Sequence, residues 1–280
     1  MSPNAVEAAP VPTALTIAGS DSGGGAGLQA DLRTFAMHCV HGMSAVTCVT
    51  AQNTLGVDRV DALPPEVIAA QVDAVAGDIG IDAAKTGMLL NADIIDTVAE
   101  RLSHWQIGQL VVDPVMVSRT GARLIDQNAV EELRDRLLPL ALITTPNRYE
   151  AQLLTGIELD SLGAMKTAAA KILELGPQAV VVKGGGLAGE LQGVDVWMDR
   201  ASGTCEILQT ELIQTPHTHG TGCTLAAAIA ANLSLRRSPL DATRRAKDYV
   251  THALRHALVI GSGQGPVGHF FPLLPSAPTV

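Results

Sequence analysis

The residues best able to do chemistry lie in Gly-rich and strand-end loops. The strongest is HTHGTGCTLAAA, residues 217–228, where Gly220 and Gly222 let the backbone turn tightly and aim the amides of Gly220, Thr221, Gly222 and Cys223 at one spot. That spot opens an Ala-rich helix. Orphan N–H donors and the positive end of the helix dipole make it an anion site, suited to a phosphoryl group with developing charge. Cys223 falls in the first turn, where the same field is expected to lower its thiol pKa. The alternatives are a Gly-rich turn over a buried Cys, or a thiol hydrolase with His217 or His219 as base.

A second loop, GSDSGGGAGLQADL at 19–32, carries five glycines around Asp21. Gly25 to Ala30 fit the GxGxxA dinucleotide pattern, but the acid expected about 20 residues on is replaced by SAVTCVTAQ, which disfavours an oxidoreductase. Walker A fails as well, because Ala84 precedes Lys85 and Thr86 where the motif needs Gly. Three short loops follow: AQNT (51–54), KTGM (85–88) and DPVM (113–116). Gln52 offers a paired donor and acceptor, which is how Gln reads a ring nitrogen beside an exocyclic amine; otherwise it is a strand-end polar residue. Met88 could cover a planar ring or fill the core. Asp113 and Glu150 are placed to hold Mg²⁺ through waters, or else to cap a turn before Pro114 and to serve as a first-turn helix acid. Lys183, ending VVVKGGG, reads as a phosphate or nucleotide contact, with a solvent-facing Lys as the plainer alternative.

These loops need a scaffold. Short β-branched runs recur at 14–18, 44–50, 81–87, 109–113, 141–145 and 179–184, and helical patterns lie between them over 27–38, 65–76, 92–104, 129–138 and 162–175. Strands apolar on both faces that alternate with amphipathic helices specify an α/β protein with a mostly parallel sheet covered on both sides. After Lys183 the pattern turns hairpin-like, then gives helices over about 221–233 and 239–258. The basic cluster Arg236, Arg237, Arg244, Arg245 and Lys247 on the last helix reads as a solvated face, with a phosphate or partner contact second. No repeat or long linker appears, so residues 13–280 are expected to form one domain behind a disordered tail at 1–12.

Composition excludes several functions. The 280 residues are 47% hydrophobic and 17% charged, with a mean hydropathy of +0.24, which describes a globule rather than a disordered chain. Aromatics are only 2%, and the net charge is −9, so neither stacking platforms nor counterion release favours nucleic acid. No apolar run approaches a membrane span. The four cysteines lack CxxC spacing and read as reduced; with no signal-like N-terminus, the expected compartment is the cytoplasm.

Taken together, the chain resembles the ribokinase-like superfamily, and within it the hydroxymethylpyrimidine/phosphomethylpyrimidine kinases. The likeness spans about residues 14–272 and rests on ALTIAGSDSGGGAGLQADLRTF, VTAQNTLGV, KTGML, VVDPVMVSRTG, LITTPNRYEAQLLTG, VVVKGG, HGTGCTL and GPVGHFF. It implies a three-layer sandwich, ATP and Mg²⁺, a homodimer, and phosphorylation of 4-amino-5-hydroxymethyl-2-methylpyrimidine and then of its monophosphate. It also implies that Gly19, Asp31, Gln52 and Met88 bind the pyrimidine, that Gly220, Thr221 and Gly222 form the anion hole, and that Cys223 stands in the position of the catalytic base. Asn147 and Glu150 match an Asn-x-x-Glu motif that supports the metal and its waters, beside the nucleotide and metal contacts read above for Lys183 and Asp113. One departure is local: SDSGGG replaces the commoner SDPSGG, so Ser22 stands for Pro and a looser loop is expected. The alternative within the family is a pyridoxine or pyridoxal kinase, whose pyridine lacks the amine that would pair with Gln52; a catalytically silent ligand sensor is the non-enzyme alternative.

Overall fold

The computed structural model describes residues 10–116, 125–187 and 189–275. Most of the expected tail lies outside them. A single nine-stranded sheet runs through the molecule in the order β3-β2-β1-β4-β5-β6-β7-β8-β9. Its parallel body is β1 (Thr13–Asp21), β2 (His41–Gln52), β4 (Ala83–Thr86), β5 (Leu110–Val112), β6 (Ile143–Thr144) and β7 (Ala179–Val182). Antiparallel strands close both edges: β3 (Val57–Ala62) on one, β8 (Asp195–Asp199) and β9 (Cys205–Leu208) on the other. β3 carries no apolar alternation and all six of its residues are exposed, which is why the sequence pattern passes over it.

Strand alternation sorts the core into two faces. Ala14, Val111, Ile143 and Val181 pack under α1 (Gly27–Met37), α7 (Thr221–Ser234) and α8 (Pro239–Arg255). Their neighbours Leu15, Ile17, Leu110 and Val112 face α2 (Pro65–Asp78), α3 (Ala92–His104) and α4 (Gln127–Glu132). Val180 and Val182 extend that second face under α5 (Arg148–Thr155) and α6 (Leu162–Leu173). Three layers result, as the sequence implies. α7 is buried throughout from Thr224 to Ser234, and its alanines let α1, α8 and the sheet approach closely around it. This packing fixes the N-terminus of α7 over the sheet's carboxyl edge. α5, not singled out by hydrophobic spacing, is set by a capping box: Asn147 accepts from the Tyr149 and Glu150 amides while Glu150 Oε2 accepts from the Asn147 amide at 2.7 Å. The helix expected over 129–138 is α4 continued by a π-helical turn, Leu133–Leu137.

Candidate active site

Because β1, β2, β4, β5, β6 and β7 are parallel, their carboxyl ends share one edge, and every loop singled out in the sequence opens there. A cavity of about 580 Å³ occupies that edge. Asp113, Asn147, Glu150 and Lys183 line it together with Gly220, Thr221, Gly222 and Cys223 at the start of α7. Eight of the twelve expected site residues therefore meet in one space. Gly19, Asp31, Gln52 and Met88 do not line this cavity. Gly19 and Met88 adjoin each other beside Cys48, since a Cβ at Gly19 would lie 2.6 Å from the Cys48 sulfur and 3.0 Å from the Met88 methyl. Gln52 ends β2, and its side-chain amide reaches His219, which does line the cavity.

Asp31 lies deeper than the other three. It is fully buried, its Oδ2 takes hydrogen bonds from Lys85 Nζ at 2.9 Å and Thr16 Oγ1 at 2.7 Å, and its Oδ1 has no partner. Burial pushes its carboxyl up, against the pull of Lys85 and Thr16. Burial likewise works to discharge Lys85, but the Asp31 carboxylate together with Cys223 and Asp113 outweighs it and keeps the ammonium charged. Lys85 matches no Walker motif, and the local signal that marks it is a lysine inside the fully buried AAKT strand.

A second buried pair lies at the cavity wall. Lys183 Nζ donates to Asp113 Oδ1 at 2.8 Å, and Thr145 Oγ1 donates to the same oxygen at 2.9 Å. Burial works to raise the Asp113 carboxyl, but Lys183 and Lys85 hold it below the usual range. Glu150 is pushed up to about 8 by burial, opposed by Lys183 and reinforced by the Asp113 charge. The thiol of Cys223 corrects the sequence expectation: burial pushes it up to about 11, which the field of Lys85 only partly opposes. The helix dipole does not prevail, because Cys223 is packed into the cavity wall, where a thiolate would lose much of its water.

Ser22 does not loosen the first loop; its Oγ donates to the Gln52 carbonyl and accepts from the Gln52 amide, both at 2.8 Å, so it stitches β1 to β2. Lys247 leaves the expected solvated face. It is buried against Asp195 at 2.6 Å and the Gly193 carbonyl and lines the cavity, whereas Arg236, Arg237, Arg244 and Arg245 make surface ion pairs.

Such an edge is suited to an anionic ligand: the N-terminus of a buried helix, Lys183 and Lys247 converge there with Asp113 and Glu150, and among the described residues no Ser-His or Cys-His hydrogen bond is made. The arrangement is that of a ribokinase-like small-molecule kinase. Comparison with known proteins narrows this. A sequence-family model described as phosphomethylpyrimidine kinase matches residues 21–268, and the chain belongs to that family. It is 62% identical over 263 residues to the hydroxymethylpyrimidine/phosphomethylpyrimidine kinase of Synechococcus elongatus, covering 94% of this chain and 99% of that one. Among solved structures it is similar to an ADP complex of Bacillus subtilis pyridoxal kinase, with a TM-score of 0.87 at 40% identity over 95% of this chain and 100% of that one. It also matches the phosphomethylpyrimidine kinase of Clostridium difficile 630, with a TM-score of 0.78 at 42% identity over 86% of this chain and 99% of that one. The chain is a phosphotransferase of the ribokinase-like fold.

Proposed function

We propose that the enzyme transfers the γ-phosphoryl group of ATP to 4-amino-5-hydroxymethyl-2-methylpyrimidine and then to the resulting monophosphate, with Mg²⁺, in thiamine biosynthesis. The observation that carries this reading is the convergence of Gly220–Cys223 with Asp113, Glu150 and Lys183 in one cavity, in a chain of this family. Asp113 and Glu150 fit Mg²⁺: it commonly takes one or two carboxylates and keeps its waters, and two buried carboxylates that raise each other's cost of ionisation, one already driven towards its neutral form, would gain from a cation held there. When bound, the ion would neutralise charge on the phosphates. Lys183 adds a fixed positive charge on the same wall, and Asn147 holds Glu150 in place through the capping box. The first-turn amides of α7 stabilise the negative charge that builds on the phosphoryl oxygens in transit.

Cys223 has a limited part in this scheme. With its thiol at about 11 it rests protonated at neutral pH, so it accepts the acceptor's proton late or only holds it by a hydrogen bond. A loose phosphoryl-transfer transition state asks no more. In the second reaction the acceptor is already an anionic phosphate and needs no base, and a neutral thiol does not repel it. Gln52 is the residue we assign to the pyrimidine's ring nitrogen and amine, with Gly19 and Met88 on the ring face and the buried Asp31 behind them.

An ATP-consumption assay with Mg²⁺, offering the hydroxymethylpyrimidine, its monophosphate and pyridoxal separately and recording product masses, tests the reading. Formation of the diphosphate supports it. Turnover of pyridoxal alone, the reaction named for the Bacillus subtilis neighbour, would replace it with a vitamin B6 kinase. We further propose a cytoplasmic homodimer. Four cysteines that are all free suit a reducing compartment, no described helix is long and apolar enough to cross a membrane, and Val49, Val57 and Val60 are exposed on the β2–β3 edge, where a second copy could cover them.

A further inference from the structure

We propose that Asp21 and His219 form a latch that fixes the first-strand loop against the anion-binding turn, and that through it His219 positions the acceptor held by Gln52 relative to the phosphoryl group; the inference rests on the kinase reading above. His219 Nε2 lies 2.8 Å from Asp21 Oδ2, a contact between residues 198 apart in sequence. Asp21 is buried, and its carboxylate also accepts from the amides of Gly23, Gly25 and Ala26 at 2.8, 3.0 and 2.8 Å. The loop is thus wound around one carboxylate whose remaining partner comes from the other loop. The two loops interlock sterically as well. A side chain on Gly25 would enter the His219 ring, and one on Gly220 would enter the Gly25 carbonyl, so both glycines are where the backbones must touch. From its other side the turn is held by the 263–267 segment: His219 N donates to the Gly265 carbonyl and Val267 N to the His219 carbonyl, each at 3.2 Å.

The same pair reaches the residue assigned to the pyrimidine. The side-chain amide of Gln52 packs against the His219 ring, its nitrogen 3.4 Å from the Nε2 that Asp21 already engages, and the Gln52 backbone is tied twice to Ser22, the residue next to Asp21. Gln52, Ser22, Asp21, His219 and Gly220 therefore form one connected path from the strand end that orients the acceptor to the helix N-terminus that receives charge. His219 is a positioning residue here. It touches Asp21 and Gln52, and its alignment of the two sites is what matters for transfer.

The test compares His219→Leu, His219→Gln and Ser22→Ala with the wild-type enzyme, measuring ADP and phosphorylated product separately, together with amide exchange over Gly23 to Ala26. Loss of the latch displaces acceptor from donor, so His219→Leu is expected to lower product formation by about 10- to 100-fold. ATP binding survives, so its KM should stay within about twofold, and product per ADP should fall below one as water takes phosphoryl groups. Exchange at Gly25 and Ala26 should quicken. His219→Gln, which keeps an amide donor near Nε2, should restore most of both readouts, and Ser22→Ala should show a milder loss of the same kind. Unchanged exchange in His219→Leu, or a raised KM for ATP with full coupling, overturns the latch. If His219→Leu does not fold, quickened exchange in Ser22→Ala with product per ADP still at one overturns it equally. Failure of the wild-type enzyme to phosphorylate the pyrimidine would instead overturn the functional reading, while the exchange comparison still decides the latch.

Discussion

Replacing Lys85 by Met should unfold the enzyme more readily, and do so more strongly as pH rises. Lys85 and Asp31 have no exposed side-chain surface, and they lie 2.9 Å apart. Removing one partner of such a pair costs about 3–5 kcal/mol, because the other charge is stranded in a medium that cannot solvate it. At about 2–4 °C per kcal/mol, that is roughly 6–20 °C in melting temperature. The stranded group has one escape, protonation. Burial already raises the Asp31 carboxyl, and Lys85 is the largest influence opposing it, so in Lys85→Met the carboxyl titrates at higher pH still. A raised folded-state pKa gives stability that is present at low pH and lost as pH climbs through that value, with about 1.4 kcal/mol for each unit. The variant should therefore approach wild-type stability near pH 5 and fall away towards pH 8. Adding Asp31→Asn, which keeps an acceptor for Thr16 Oγ1, removes the charge and should recover more than half of the loss at pH 8. Urea melts at the two pH values for the wild-type, single and double variants make the measurement. A single variant that loses less than about 1 kcal/mol at pH 8, or loses the same at both pH values, would refute the account of this pair as a true buried ion pair.

Other outcomes follow from the site. Gln52→Leu should lower kcat/KM for the aminopyrimidine by about 10- to 100-fold while sparing any pyridoxal turnover, since one paired donor and acceptor is worth about 1–3 kcal/mol of discrimination; steady-state kinetics on both substrates decide it. Cys223→Asp should impair the monophosphate reaction more than the first, because two like charges about 4 Å apart at an effective dielectric near 20 repel by roughly 4 kcal/mol; comparable losses on both substrates would sink the argument. Gly220→Ala should abolish transfer and lower the melting temperature, as Gly220 has a φ of 85° and its Cβ would collide with the Gly25 carbonyl. His269 is pushed down to about 4 by burial and hydrogen-bonds Thr224 at 2.9 Å; a depressed folded-state pKa gives stability present above the free value near 6.5 and lost as pH falls towards 4, worth about 3 kcal/mol, and His269→Gln should flatten that limb of the stability profile.

The sequence by itself determined what depends on neighbours along the chain. Strand and helix periods, the Gly220–Cys223 turn opening α7 and the loops carrying Asp113, Lys183 and Gln52 were all legible, because each signal sits within a few residues of the feature it specifies. β3 was not, since a fully exposed edge strand needs no apolar period, and α5 showed only through Glu150 as a first-turn helix acid, because its short run is fixed by a cap rather than by apolar spacing. Only the tertiary structure decided the electrostatics and the partners. Asp31 finds Lys85 across 54 residues, Lys247 finds Asp195 across 52 and His219 finds Asp21 across 198, and no local pattern encodes such meetings. The Cys223 thiol shows the same division. Its place at a helix N-terminus is local and argues for a thiolate, but burial is a property of the packed molecule, and there the lost hydration outweighs the dipole.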